Sequence, residues 1–101
     1  MHNKQRIELI IERMAYKRAC RILKDSGMTG YTVVPALAGA GGRTEWRRDS
    51  DISASRDMVV IISIGDEERV KAAITQIEGL LGRHIGIVTV GDVKVIRDGR
   101  F

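Results

Sequence analysis

The chain has 101 residues, a length that fits one domain built around one core. Its formal net charge is +4, but 17 basic residues are interleaved with 13 acidic ones and aromatic residues make up only 4%, which argues against tracking a nucleic-acid backbone or stacking bases. A single cysteine excludes an intrachain disulfide, and with two distant histidines it cannot furnish a zinc site. No secretory signal and no apolar run of membrane-spanning length stands out, so the expectation is a cytoplasmic protein without membrane insertion.

The first periodic segment alternates Ile7, Leu9 and Ile11 with Glu8, Ile10 and Glu12, a strand with one face more apolar than the other. The spacing then turns helical. Ala15, Tyr16, Ala19, Cys20, Ile22 and Leu23 form one stripe, with Lys17, Arg18, Arg21 and Lys24 facing outward. Cys20 on that stripe reads as a buried structural thiol. Gly27 is the left-handed residue that closes the helix.

Residues 31–37 read as a second strand, in which Pro35 points to a sheet edge or a bulge because it cannot donate a ladder hydrogen bond. Residues 58–64 are nearly continuous apolar sequence, as expected of a central strand. Asp66 is a good N-cap residue, followed by Glu67 and Glu68 where the helix dipole favours carboxylates. Val70, Ala73, Ile74, Ile77, Leu80 and Leu81 then repeat with helical spacing. Residues 84–90 make a fourth strand and 93–97 a short final one.

This order predicts an α+β fold: a ferredoxin-like βαββαβ sandwich, residues 1–101 as one domain, with a long loop between strands two and three and a short C-terminal strand. Two helices cover only one face of such a sheet. The strand at 58–64 is apolar on both faces, so the open face is expected to be buried in a homo-oligomer.

The insertion at 38–55 is far longer than a hairpin loop needs, and a loop that long in a small domain is functional or disordered. Gly39, Gly41 and Gly42 can bring backbone N–H groups close to an anion, and Arg43 follows directly. The competing reading is a flexible linker. Arg47 and Arg48 read as a solvated surface run or a docking element. Trp46, the one tryptophan, is a partner anchor or packs on its own oligomer.

Gly27-Met28-Thr29-Gly30-Tyr31-Thr32-Val33 closely resembles the G-x-T-G-x-T-V segment of the PII signalling proteins. Gly39-x-Gly41 with Thr44-Glu45 resembles their long T-loop, here about 39–55. Asp92-Val93, Ile96-Arg97 and Gly99 resemble the end of their last strand. The resemblance implies a cytoplasmic homotrimer that binds adenine nucleotides in clefts between subunits, with the T-loop as a ligand-controlled docking element. Carried over position by position, it implies nucleotide contacts from Thr32, Gly39, Gly41, Gly42, Arg43, Ser63, Gly86, Arg97 and Gly99. It also implies partner docking by Trp46, Arg47 and Arg48.

Departures from the family pattern refine this. The phosphate-cradling T-G-x-x-G-D-G-K segment is missing, since the chain passes from Leu81 through Gly82-Arg83-His84 into the next strand. That favours ADP or AMP over a triphosphate. His84 or Arg83 is left to replace the absent lysine, and the bland reading of His84 is a structural or exposed residue. No counterpart exists for the T-loop glutamine used with magnesium and 2-oxoglutarate, nor for the modified tyrosine. These departures resemble PII-like proteins of the carboxysome and bicarbonate-transport type, which implies bicarbonate at Gly41, Gly42 and Arg43 and a transporter or carboxysome-linked enzyme as target. Two backbone donors and one guanidinium fork suit that planar anion.

The expected protein is therefore a regulator with no cofactor and no metal, not an enzyme. The alternatives are a nitrogen-type PII regulator responding to ATP and 2-oxoglutarate, or a small ferredoxin-like enzyme that hydrolyses nucleotides. An RNA-binding module would need more sheet aromatics than Tyr31 supplies.

Overall fold

In the computed structural model, the first alternating segment becomes β1 (His2–Glu12), with Ile7, Leu9 and Ile11 buried on one side. The structure describes residues 1–41, 44–47 and 57–97, with the main chain alone over 44–47. A 3-10 turn at Arg13–Ala15 leads into α1 (Tyr16–Asp25), and β2 (Thr32–Pro35) follows. Next comes a separate ribbon of β3 (Ala38–Gly41) and β4 (Thr44–Arg47), then β5 (Met58–Gly65), α2 (Glu67–Leu81) and β6 (Gly86–Val95).

The main sheet is antiparallel throughout, in the order β2-β5-β1-β6. This is the split strand–helix–strand arrangement expected from the element order. Both helices lie on one face. The core between the layers includes Leu9, Ile11, Ala19, Leu23, Ile61, Val70 and Ile77. Tyr16 and Ile22 of the α1 stripe are only partly buried, and Lys17, Arg18, Arg21 and Lys24 are exposed as their spacing requires.

Gly27 has φ 87°, the left-handed region that its position demanded. Gly27 N–H donates to the Lys24 carbonyl at 3.1 Å and Met28 N–H to the Leu23 carbonyl at 3.1 Å, a Schellman closure. Met28 and Leu23 are both core residues, so the helix end is held by packing as well as by hydrogen bonds.

Three expectations need correction. The fourth strand and the short tail strand are one continuous element, β6, because β1 is long enough to pair along its whole length from Ile11↔Gly86 to His2↔Val95. Gln5 Nε2 also donates to Asp92 Oδ1 at 3.2 Å across that pairing, where the sequence had shown a break at Gly91-Asp92. The second strand ends at Pro35 rather than at residue 37, and part of the long loop is the β3–β4 ribbon. Finally, Asp66 occupies the N-cap position with extended backbone, but its carboxylate makes no cap bond and pairs with Lys4 Nζ at 2.6 Å instead. That pairing holds the Asp66 carboxyl below its ordinary value, chiefly through the hydrogen bond from Lys4.

Candidate functional site

The positions expected to touch a nucleotide fall on opposite edges of the sheet. Thr32 is exposed on β2, the strand that Pro35 marked as an edge. Gly86 opens β6 at the other edge, and Arg97 lies exposed just past its end. Two strands stand between these edges, a width of about 14 Å at the usual strand spacing. Along β6 the separation is larger, since Gly86 and Arg97 bracket it at roughly 35 Å by strand rise. Within one protomer Thr32, Gly86 and Arg97 therefore cannot converge on one ligand.

The base of the long excursion sits at a defined place. Pro35, Val59, Ile11 and Gly86 stand in one row across the sheet, and Ala36 N–H donates to the Met58 carbonyl at 3.0 Å just beyond it. The ribbon then pairs Gly39 with Trp46 and Gly41 with Thr44. Arg47 closes that ribbon opposite Ala38. Gly42, Arg43, Arg48 and Gly99 lie outside the described residues.

In the connection from α2 to β6 the backbone N–H groups of Gly82, Arg83 and Ile85 are engaged within the protomer. Gly82 N–H donates to the Glu78 carbonyl at 3.2 Å and Arg83 N–H to the Leu80 carbonyl at 3.1 Å. Ile85 N–H donates to Glu12 Oε1, while its carbonyl accepts from Glu12 N–H at 3.2 Å. With those donors engaged inside the protomer, they cannot form the N–H nest a phosphate needs. His84 is half-buried, and its Nε2 lies 3.1 Å from Arg18 Nη2. Guanidinium can only donate, so Nε2 accepts and the ring is tied to α1.

Two other site expectations acquire packing reasons. Ser63 is fully buried, and its Oγ donates to the Gly30 carbonyl at 2.6 Å, which fixes the entry of the chain into β2 beside Thr32. A Cβ on Gly86 would stand 2.7 Å from the Ile10 carbonyl oxygen and 2.8 Å from Leu81 Cδ2, so close strand–helix approach requires glycine there.

The open face carries an apolar row, Val34, Val60, Ile10 and Ile87, set side by side by the strand register. Ile87 is 59% exposed in the isolated protomer. Beside that row the Arg6 and Glu8 side chains form an ion pair at 3.3 Å. Sequence reasoning missed this pair, although two opposite charges at alternate positions of one strand share a face and are legible as such. It also missed the Cys20–Tyr31 contact. Burial raises the Cys20 thiol above its ordinary value, partly offset by a hydrogen bond with Tyr31. The cysteine is free and buried, as its place on the stripe indicated. Among the described residues no cluster of histidine, cysteine and carboxylate groups could hold a metal ion, and no helix is long and apolar enough to cross a membrane.

Comparison with known proteins places this geometry in context. Residues 4–100 match the model of the family described as nitrogen regulatory protein P-II. A UPF0166 protein of Aquifex aeolicus is 34% identical over 82 residues, spanning 80% of this chain and 75% of that protein. Among solved structures, CPII from Thiomonas intermedia, a nitrogen regulatory PII-like protein bound to ADP, AMP and bicarbonate, superposes with a TM-score of 0.86. It is 26% identical, over 95% of this chain and 91% of that one. A GlnK–ATP complex from B. subtilis shares the fold at 12% identity with a TM-score of 0.65, over 90% of this chain and 82% of that one.

Proposed function

Since the chain belongs to the nitrogen regulatory protein P-II family, we propose that it is a homotrimeric, non-enzymatic regulator that binds ADP or AMP in clefts between protomers. The observation that carries this reading is the division of its expected ligand contacts between two sheet edges. A cleft formed where the β2 edge of one protomer meets the β6 tail of the next would reunite Thr32 with Arg97. Thr32 would face the base, Arg97 the phosphates, and Ser63 would act by positioning Gly30 through Thr32. Gly86 would serve by letting β6 approach β1 at the row where the long excursion begins. The similarity to a protein solved with ADP, AMP and bicarbonate supports the ligand class.

The engaged N–H groups of Gly82, Arg83 and Ile85 favour a di- or monophosphate over a triphosphate, because they are withdrawn from any nest for a terminal phosphate. Bicarbonate would bind at the start of the ribbon turn, at Gly41, Gly42 and Arg43. Its binding would control how the excursion presents Trp46, Arg47 and Arg48 to a target protein concerned with inorganic carbon, such as a transporter or a carboxysome-linked enzyme. A cytoplasmic site of action follows from that role. If both ligands share the excursion, each must change the affinity of the other by the same factor.

Calorimetric titration with ADP, AMP and ATP, each with and without bicarbonate, tests the reading. ADP or AMP should bind more tightly than ATP, and bicarbonate should shift the affinity. Arg97→Ala should weaken nucleotide binding by roughly tenfold to a hundredfold, the usual worth of a charged hydrogen bond. A monomer in light scattering, an absence of adenylate binding, or steady hydrolysis of bound nucleotide would each overturn it.

A further inference from the structure

The helix layer, on the far side of the molecule from the apolar row, carries a groove of about 400 Å³ between the exposed flanks of α1 and α2. Its walls hold three guanidinium groups, from Arg18, Arg21 and Arg83, against one carboxylate, Asp25. Among the described residues neither Arg21 nor Arg83 makes an ion pair. Arg18 spends one nitrogen on His84 and keeps its other donors.

A second feature of the same groove is independent of charge. Gly79 lies inside α2, is exposed, and, apart from its chain neighbours and its own helix backbone, has no heavy atom within 4 Å of where a Cβ would stand. Glycine weakens a helix relative to alanine, and here nothing in the protomer excludes a side chain. Its effect is to leave bare backbone on the groove floor, beside partly buried Ile22 and buried Leu80. The lining contains no aromatic ring on which a nucleic-acid base could stack.

We propose that the α1–α2 groove docks an acidic peptide segment of a partner protein, with carboxylates on Arg18, Arg21 and Arg83 and an apolar side chain laid over Gly79 between Ile22 and Leu80. Guanidinium forks match carboxylates in two-point geometry. A small apolar floor flanked by cations selects alternating acidic and apolar residues. The surface is separate from the open face and from Thr32 and Arg97; only Arg83, beside His84, is shared with the nucleotide expectations, so the test rests on Arg21 and Gly79.

Fluorescence anisotropy on the full-length protein tests it, with a labelled short peptide in which glutamates alternate with leucines and a second peptide carrying glutamine in their place. The glutamate peptide should bind, weaken as salt rises, and lose roughly tenfold or more in affinity with Arg21→Glu. Gly79→Gln should weaken binding by filling the floor while leaving the melting temperature equal or higher, because glutamine is the better helix former. Neither variant should alter the response to ADP. Absence of binding, equal binding of the glutamine peptide, or indifference to both substitutions would overturn the proposal. Displacement of the peptide by a single-stranded oligonucleotide at lower concentration would overturn it too, in favour of nucleic acid.

Discussion

Ile61 and Ile62 are adjacent residues of the same type in the same strand, yet they belong to different chemistry. Ile61 points to the helices and is 1% exposed, packed among Leu9, Leu23 and Ile77. Ile62 points to the open face, is half-buried, and stands between Thr32 on β2 and Glu8 on β1. The first side of the sheet is finished within the protomer. The second pairs an apolar row with charged and hydroxyl neighbours and leaves Ile87 and Val34 exposed, the surface that the proposed homotrimer would cover. Apolar content alone therefore does not identify a core; the face on which it falls decides whether it is buried within the protomer or left at its surface.

Four substitutions would break or sharpen this contrast. Ile61→Ala should have the largest effect on folding, destabilising the protein by about 2–5 kcal/mol in urea denaturation, because it empties a closed core. Ile62→Lys should instead spare the protomer, since the new ammonium faces Glu8 across the strands, and should abolish assembly; light scattering that still reports an oligomer would refute the assembly role of this face. Gly86→Ala should cost about 1–3 kcal/mol by pushing β6 from the Ile10 carbonyl, read as a lowered melting temperature.

The smallest effect concerns the pair at the far end of β1. Lys4 lowers the Asp66 carboxyl below its ordinary value of 3.8 in the folded state. A depressed carboxylate contributes stability above its unfolded value, and that contribution disappears as pH falls through the folded one. Asp66→Asn should thus lower the melting temperature slightly at neutral pH, and the gap to the unaltered protein should close on acidification below that ordinary value. A gap that stayed constant with pH would show the pair to be inert.

Much of this was legible in the chain. The alternation at Ile7, Leu9 and Ile11, the stripe through Ala19 and Leu23, and the Gly27 closure all appear where their periods place them, because each depends on neighbours within a few residues. Pro35 pointed to an edge or a bulge, and β2 stands at the sheet edge. The misreadings share one cause, namely partners distant in sequence. The unity of β6 depends on β1 offering partners from Ile11 back to His2. The diversion of Asp66 depends on Lys4, and the engagement of the Ile85 N–H depends on Glu12. Ser63, which the family resemblance implies as a nucleotide contact, is buried and donates to the Gly30 carbonyl, a bond that no local pattern discloses.

By itself the chain determined its two helices, the stripe each of them buries and the strands at 2–12 and 58–65, all of which follow from local period. The missing phosphate-cradling segment and the family resemblance were legible too, in particular motifs. The tertiary structure alone decided that Thr32 and Arg97 stand on opposite edges, that the donors after α2 are already engaged, and that three arginines and a bare glycine meet between the helices. Each of these depends on which strands and helices become neighbours, and that is set by burying the whole apolar surface at once rather than by any single segment.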